Sequence, residues 1–384
     1  MEKVIETEKI PIKMWIDEIE ENALEQAKNL ANLPFAVGHI ALMPDCHSGY
    51  GMPIGGVLAT KGVVIPNAVG VDIGCGMCAV KTSLKDITTD ELKGIMGKIR
   101  KYIPVGFEHH KKAQSGDLMP DSKNMGDVVK REYSRALKQL GTLGGGNHFI
   151  EILKGSDGFV WIMIHSGSRN LGKQVANYYD KKARELNKKK NSNVPSKWNL
   201  AFLSEGTRHF KRYIKEMQYC IDFAFENRYV MMERVKEIFE DKFKDISFDE
   251  MINIAHNYAQ LEHFYNEDLW IHRKGATSAR KGEIGIIPGS MGTKSYIVEG
   301  LGNKESFESC SHGAGRIMSR KAAINTLDLE KENKRMEGIL GGPRHQSELD
   351  EAPSAYKDID SVMKFQEDLV SIVTTLEPVA VIKG

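Results

Sequence analysis

The sequence predicts an α+β fold: one integrated domain over 1–384 with mixed β-sheets and a helical insertion over about 172–250. Three observations carry this. Short apolar runs broken by glycine, dense between Ile40 and Val80, have the length of buried strands and lack a helical period. Phe159–Gly167 (FVWIMIHSG) is a further apolar run ending in a glycine turn. Between these and a second glycine-rich half lies the clearest helical signal, from Gly206 to Phe243. There Phe210, Tyr213, Ile214, Met217, Ile221, Ala224 and Phe225 recur at i, i+3, i+4 and i+7.

In chain order, Met14–Leu33 shows a helical stripe through Trp15, Ile19, Ala23, Ala27 and Leu30 with acids opposite. IALMPDCHSGYGMPIGGVLA (40–59) and the run to Ser83 read as strands and tight turns. A helix is expected from Thr88, with Glu91 in capping-box position, to about Tyr102. Residues 109–128 read as an exposed loop, and LGTLGGGNHFIEIL (140–153) as a strand-like segment. Gly172–Lys190 is expected to be a helix, the 206–243 block one helix or two, and Ser354–Leu376 a final amphipathic helix before PVAVIKG.

Composition narrows the function. Hydrophobic residues make up 41% and the net charge is +1, so a nucleic-acid partner would need a local basic groove. No apolar run reaches membrane-spanning length, and the charged start MEKVIETEKIPIKMW lacks a signal-peptide core. The 5 cysteines, Cys46, Cys75, Cys78, Cys220 and Cys310, are scattered and odd in number, which points to a reducing compartment, the cytoplasm.

The chemistry concentrates in AVGVDIGCGMCAV (68–80). Asp72 and Cys75 sit on a turn bracketed by Gly70, Gly74 and Gly76, where carboxylate and thiolate can face one ion. Of the 12 histidines, His148 (GGGNHF), His165 (WIMIHSGSR), His256 (HNYAQLE) and His312 (SHGAGR) stand at strand ends or beside glycines. Singly each reads as a core histidine; together with Asp72 and Cys75 they form a ligand set for a divalent transition metal. Zinc, manganese and iron all remain open on this reading. Cys78, among Met77, Ala79 and Val80, reads as a buried structural thiol. PGSMGTKS (288–295) and GGGNHF have the look of backbone anion cradles, without the Walker pattern. The basic run Arg273, Lys274, Arg280 and Lys281 is a candidate phosphate contact. Asp45 and His47 read as pocket-forming rather than metal-binding.

MPDCHSGYGMPIGG, AVGVDIGCGM, LGTLGGGNHFIEI, IHSGSR, RKGATSA, GIIPGSMG, SCSHGAGR and the terminal VIKG follow one another in the order found in RtcB-type RNA ligases. The resemblance covers almost the whole chain and is closest to the compact bacterial form. It implies an enzyme that joins RNA 3′-phosphate or 2′,3′-cyclic phosphate ends to 5′-hydroxyl ends, using GTP and two manganese ions, in tRNA splicing or RNA repair. Asp72, Cys75 and His148 would hold one ion, and Cys75, His165 and His256 the other, with Cys75 bridging. His312 would carry GMP covalently. Asn147, His148, Phe149, Ile150, Glu151, His256, Asn257, Pro288, Gly289, Ser290, Met291, Ser295, Gly313, Ala314, Gly315 and Lys383 would hold the guanylate. The expected partner is RNA with these ends, the expected state a monomer, and an archease-like activator is left open. Gly145, where relatives often carry a hydroxyl residue, and Cys46 and Ser48 depart from the pattern without replacing a ligand. Two other readings are a metal-dependent phosphodiesterase that opens cyclic ends, and a non-catalytic RNA-binding module. An intact His312 argues against the first, and the lack of an array of stacking aromatics against the second.

Overall fold

Two large sheets and two two-stranded ones make up the β-structure, and His256 sits where the chain crosses between the large pair. A computed structural model describes residues 1–384. The first sheet has six strands in the order Lys3–Ile5, Ile12–Met14, Ala36–Tyr50, Met52–Thr60, Glu267–Lys274 and Asn257–Phe264. The second has seven: Ile252–Ala255, Gly76–Lys81, Val160–Ser166, Phe149–Gly155, Val370–Lys383, Ser295–Gly300 and Ile284–Ile287. Strand Ile252–Ala255 pairs with Gly76–Lys81 in the second sheet, and one residue later Asn257 begins pairing with Lys274 in the first. No helix is long and apolar enough to cross a membrane.

Alternation along the second sheet decides which side chains meet the site. Successive side chains point to opposite faces. Cys78, Val80, Ile150, Ile152, Ile162 and Ile164 face helices Thr89–Tyr102 and Arg208–Glu240, joining Ile95, Ile99, Val235 and Phe239 in one core. Met77, Ala79, Leu153, Trp161 and Met163 face the other way. In register, Met77, His165 and Phe149 lie in a row across three strands on that second face. Cys78 is therefore a buried core thiol.

The helices follow from their caps and stripes, with corrections. Thr88 and Glu91 form the capping box, and the helix runs Thr89–Tyr102. Arg208–Glu240 is one unbroken helix of 33 residues capped by Thr207. The first helix is shorter than its stripe, Glu21–Ala31, because Ile12–Met14 pairs in parallel with Ile40–Leu42 and Trp15 is buried. The stretch 109–128 is a loop with two short 3-10 turns, and helix Asp127–Gln139 then appears where charges dilute its apolar stripe.

The expected helix Ser354–Leu376 is overturned. A short helix Ile359–Lys364 is followed by strand Val370–Lys383, paired on both edges. The β-branched run VSIVTT favours the extended chain. Pro378, which cannot donate to a ladder, sits where the register slips between Pro378 and Ala380.

The basic run 273–281 also turns out to be structural at its core. Arg273 is fully buried; it pairs with Glu262 and donates to the Ser309 hydroxyl and the Phe307 carbonyl, each at 2.9 Å. Lys274 Nζ donates to the carbonyls of Tyr50, Met52 and Asn67 at 2.7–3.1 Å. Neither is free to meet a phosphate. Burial works to raise the Glu262 carboxyl, but Arg273 and Arg280 outweigh it and hold it below 4.5. A depressed acid stabilises the fold above its unfolded value and loses that contribution as pH falls through the folded one. Glu262→Gln is expected to lower stability by about 3 kcal/mol at pH 7 because it strands a buried guanidinium. In urea unfolding, the gap from the parent protein should shrink as pH drops below that range.

Candidate active site

Five side chains converge beneath the crossing point of the sheets. Cys75 Sγ lies 3.4 Å from His148 Nε2 and 3.4 Å from His165 Nε2. His165 Nε2 is 3.4 Å from His256 Nε2, and Asp72 Oδ2 is 3.1 Å from His148 Nε2. The Cys75, His148 and His165 donor atoms all lie within 4.8 Å of one another, and all three residues are buried. The outer nitrogens explain the orientation. His148 Nδ1 donates to the Leu143 carbonyl at 2.9 Å and His165 Nδ1 to the Asn147 carbonyl at 2.8 Å. Each ring therefore turns its Nε2 lone pair inward. His256 Nδ1 is buried without a partner.

This set fits a divalent metal. Burial, reinforced by Asp72, pushes the Cys75 thiol well above its ordinary value. Burial likewise holds His165 and His256 well below theirs, so both rings stay neutral. Neutral imidazoles with inward lone pairs are ready ligands, and a bound cation reverses the shift on a coordinating thiol.

Local structure explains the convergence. The His256 N–H donates to the Cys75 carbonyl, and the Gly74 N–H to the Asn257 carbonyl, each at 2.8 Å. A Cβ on Gly76 would sit 1.9 Å from the Ile254 carbonyl oxygen, so only glycine admits the crossing strand here. Behind the cluster, Asn227 and Arg228 on the long helix tie three loops together. Asn227 Oδ1 accepts from the N–H groups of Gly141 and Thr142, while its amide donates to the Thr142 carbonyl, the Ser166 hydroxyl and the Gly167 carbonyl. Arg228, fully buried, donates to the carbonyls of Gly74 and Ser166 at 2.9 Å. Those are the residues before Cys75 and after His165. The helical stripe hid this pair; the polar Asn-Arg step within it was the trace.

His312 stands beside the cluster, its ring 4.9 Å from that of His256. Its Nδ1 is 2.5 Å from Asp45 Oδ2, which also accepts from the His312 backbone N–H at 3.1 Å. Burial works to raise the Asp45 carboxyl, but the His312 ring, with Lys357 and His47, leaves it below the usual carboxylate value. Asp45 thus fixes the His312 tautomer, with Nδ1–H toward the carboxylate and Nε2 free.

A cleft opens from this point. Of the residues expected around a nucleotide, Asn147, His148, Phe149, Pro288–Met291, His312–Gly315 and Lys383 line it. The others stand back. Ile150 faces the helices, as strand alternation requires, so any contact from it is through the backbone. Glu151 is on the cleft side of its strand but deep, and burial pushes its carboxyl up to about 8. Ser295 accepts from the Gly289 N–H at 3.1 Å and shapes the 288–291 turn. Asn257 braces the Asp72 loop by donating to the Asp72 carbonyl at 3.1 Å.

The cleft also has walls that the sequence reading did not assign. Arg316, Arg320, Glu351 and Tyr356 line it, with Glu351 accepting from Arg316 and Arg320 at 2.5 Å and from the Tyr356 hydroxyl. Arg316 closes the SHGAGR motif and was legible. Glu351 and Tyr356 fall in a stretch with no motif of their own.

A donor cluster of Cys, His and Asp flooring a glycine-walled cleft fits a metal-dependent enzyme. The family profile described as tRNA-splicing ligase RtcB matches residues 26–126 and 119–384. The chain is 41% identical over 411 positions to the RNA-splicing ligase RtcB of Escherichia coli (strain K12), covering 100% of this chain and 99% of that protein. It is 32% identical to the tRNA-splicing ligase RtcB of Methanococcus maripaludis, covering 98% and 95%. For that of Thermococcus kodakarensis the identity is 31%, covering 95% and 92%. The chain belongs to the RtcB family.

Proposed function

We propose that the protein is a GTP- and manganese-dependent RNA ligase that joins 3′-phosphate or 2′,3′-cyclic phosphate ends to 5′-hydroxyl ends in tRNA splicing or RNA repair. The observation that carries this is His312: its Nδ1 is held by Asp45, its Nε2 is free, and it lies beside the Cys75 cluster in one cleft. Hydrolysis of a cyclic phosphate has no use for such a nucleophile.

Asp72, Cys75 and His148 would hold one manganese ion, and Cys75, His165 and His256 the other. Bound there, the metal would neutralise phosphate charge. His312 Nε2 forms a bond to the α-phosphorus of GTP as the bond to pyrophosphate breaks. Asp45 holds the Nδ1 proton and stabilises the positive charge on the ring. A 2′,3′-cyclic end would first add water and break its P–O2′ bond. The RNA 3′-phosphate then takes the GMP, leaving His312 neutral and the RNA end activated as a diphosphate. Attack by the 5′-hydroxyl expels GMP and makes the phosphodiester. The glycine turns 288–291 and 312–315 bring backbone close to the guanylate, and Lys383 closes the cleft. The proposed setting is the cytoplasm, with the chain acting as a monomer; its 5 cysteines are free and buried.

Mixing a 3′-phosphate RNA and a 5′-hydroxyl RNA with the protein, GTP and manganese should give the joined strand. Omitting GTP, or adding a chelator, should abolish it. Joining that proceeds without a nucleotide would overturn the proposal.

A further inference from the structure

Phe107 is the most exposed large apolar side chain in the protein, at 105% of its reference area. Its ring lies fully open to solvent, yet its turn is anchored. Ile103, at the end of helix Thr89–Tyr102, is 1% exposed. The Leu143 N–H donates to the Pro104 carbonyl at 2.9 Å, and the Gly106 N–H to the Gly144 carbonyl at 2.7 Å. Val105 pairs with Gly144 as a parallel bridge, and Arg169 donates to the Gly106 carbonyl at 3.3 Å. The turn is thus fused to the Leu143–His148 loop, the same loop that supplies His148 to the donor cluster and Asn147 to the cleft.

Along the chain, the residues after Phe107 are polar or charged, and Tyr102, half exposed, precedes its turn. Between Arg100 and Lys112 the basic residues are Arg100, Lys101, Lys111 and Lys112, and Glu108 is the one acid. Lys111 and Lys112 are exposed and enter no ion pair. A protein partner would want an apolar core around such a ring. A fully bare ring on a turn followed along the chain by two unpaired lysines instead matches a nucleobase between phosphates.

We propose that Phe107 is a stacking platform for one base of the RNA strand near its reacting end, with Lys111 and Lys112 contacting the flanking phosphates. The proposal rests on the RNA-ligase reading. The ring, held rigidly on the glycine loop, fixes the strand relative to the cleft without touching the reacting atoms, which makes it a positioning residue. Its full exposure means that replacing it leaves the fold intact.

The test is fluorescence anisotropy with a short labelled single-stranded RNA bearing a 3′-phosphate, without GTP. Phe107→Ala should bind about tenfold more weakly, the scale of one lost stack, and Phe107→Trp should bind as the parent does. A 2-aminopurine in the RNA should be quenched by the parent and not by Phe107→Ala. Lys111→Ala/Lys112→Ala should reduce the slope of log affinity against log salt by about 1.4. Labelling of His312 by GTP without RNA should be unchanged in all variants. Equal RNA affinity for Phe107→Ala and the parent overturns the proposal, as does a proportional loss of labelling, which would make the turn a support for the nucleotide loop. A parent protein that forms no GMP adduct yet binds RNA through Phe107 overturns the ligase reading and leaves this contact standing.

Discussion

Cys75→Ala is expected to strip the protein of both metal ions while leaving it folded. Sγ stands 3.4 Å from each of two imidazole nitrogens, those of His148 and His165, which the proposal assigns to different ions. On the proposed two-ion arrangement, removing it takes a ligand from both ions at once. Changing the partners behind a ligand costs roughly 10–100-fold in affinity, and deleting a shared ligand should cost more. The lost sulfur itself should lower stability by only about 1 kcal/mol, within the range of ordinary core substitutions. His256→Ala is the contrast, since it touches one side of the cluster and should retain one ion of two. Metal content after dialysis, read by elemental analysis, checks both. A Cys75→Ala protein with full metal content would contradict a bridging thiolate.

Asp45→Asn should slow transfer of GMP to the protein on the order of 10³–10⁴-fold, the loss seen when a histidine's orienting carboxylate becomes an amide. The amide keeps the shape but no longer demands an N–H from Nδ1, and it cannot offset the charge that appears on the ring. The structure makes this demanding, because the same Asp45 oxygen also holds the His312 backbone N–H. Metal content should be unaffected, since Asp45 bonds to none of the five cluster residues. Single-turnover labelling by GTP separates the two effects. A near-normal rate would remove Asp45 from the account.

What the sequence revealed and what it hid divide along physical lines. The convergence of Asp72, Cys75, His148, His165 and His256 was legible because glycine turns and strand ends mark places where side chains can meet. Thr88 with Glu91 announced a helix for the same local reason. Glu351 and Tyr356 were invisible because they meet Arg316 and Arg320 only through tertiary contact. Asn227 and Arg228 were masked by the strong apolar stripe of their helix. The helix expected over 354–376 failed because apolar spacing there competed with a β-branched run, and a strand slot between Phe149–Gly155 and Ser295–Gly300 decided the contest. Arg273 and Lys274 looked like phosphate contacts in one dimension; the sheet turned both inward.

Placing the nucleotide on His312 is the central claim, and α-labelled GTP tests it most directly. Incubated with manganese and no RNA, the protein should acquire one label that is lost in acid, as a phosphorus–nitrogen bond requires, and peptide mapping should locate it at His312. His312→Ala should acquire none. Failure of the parent protein to label, or label persisting in His312→Ala, would contradict the account.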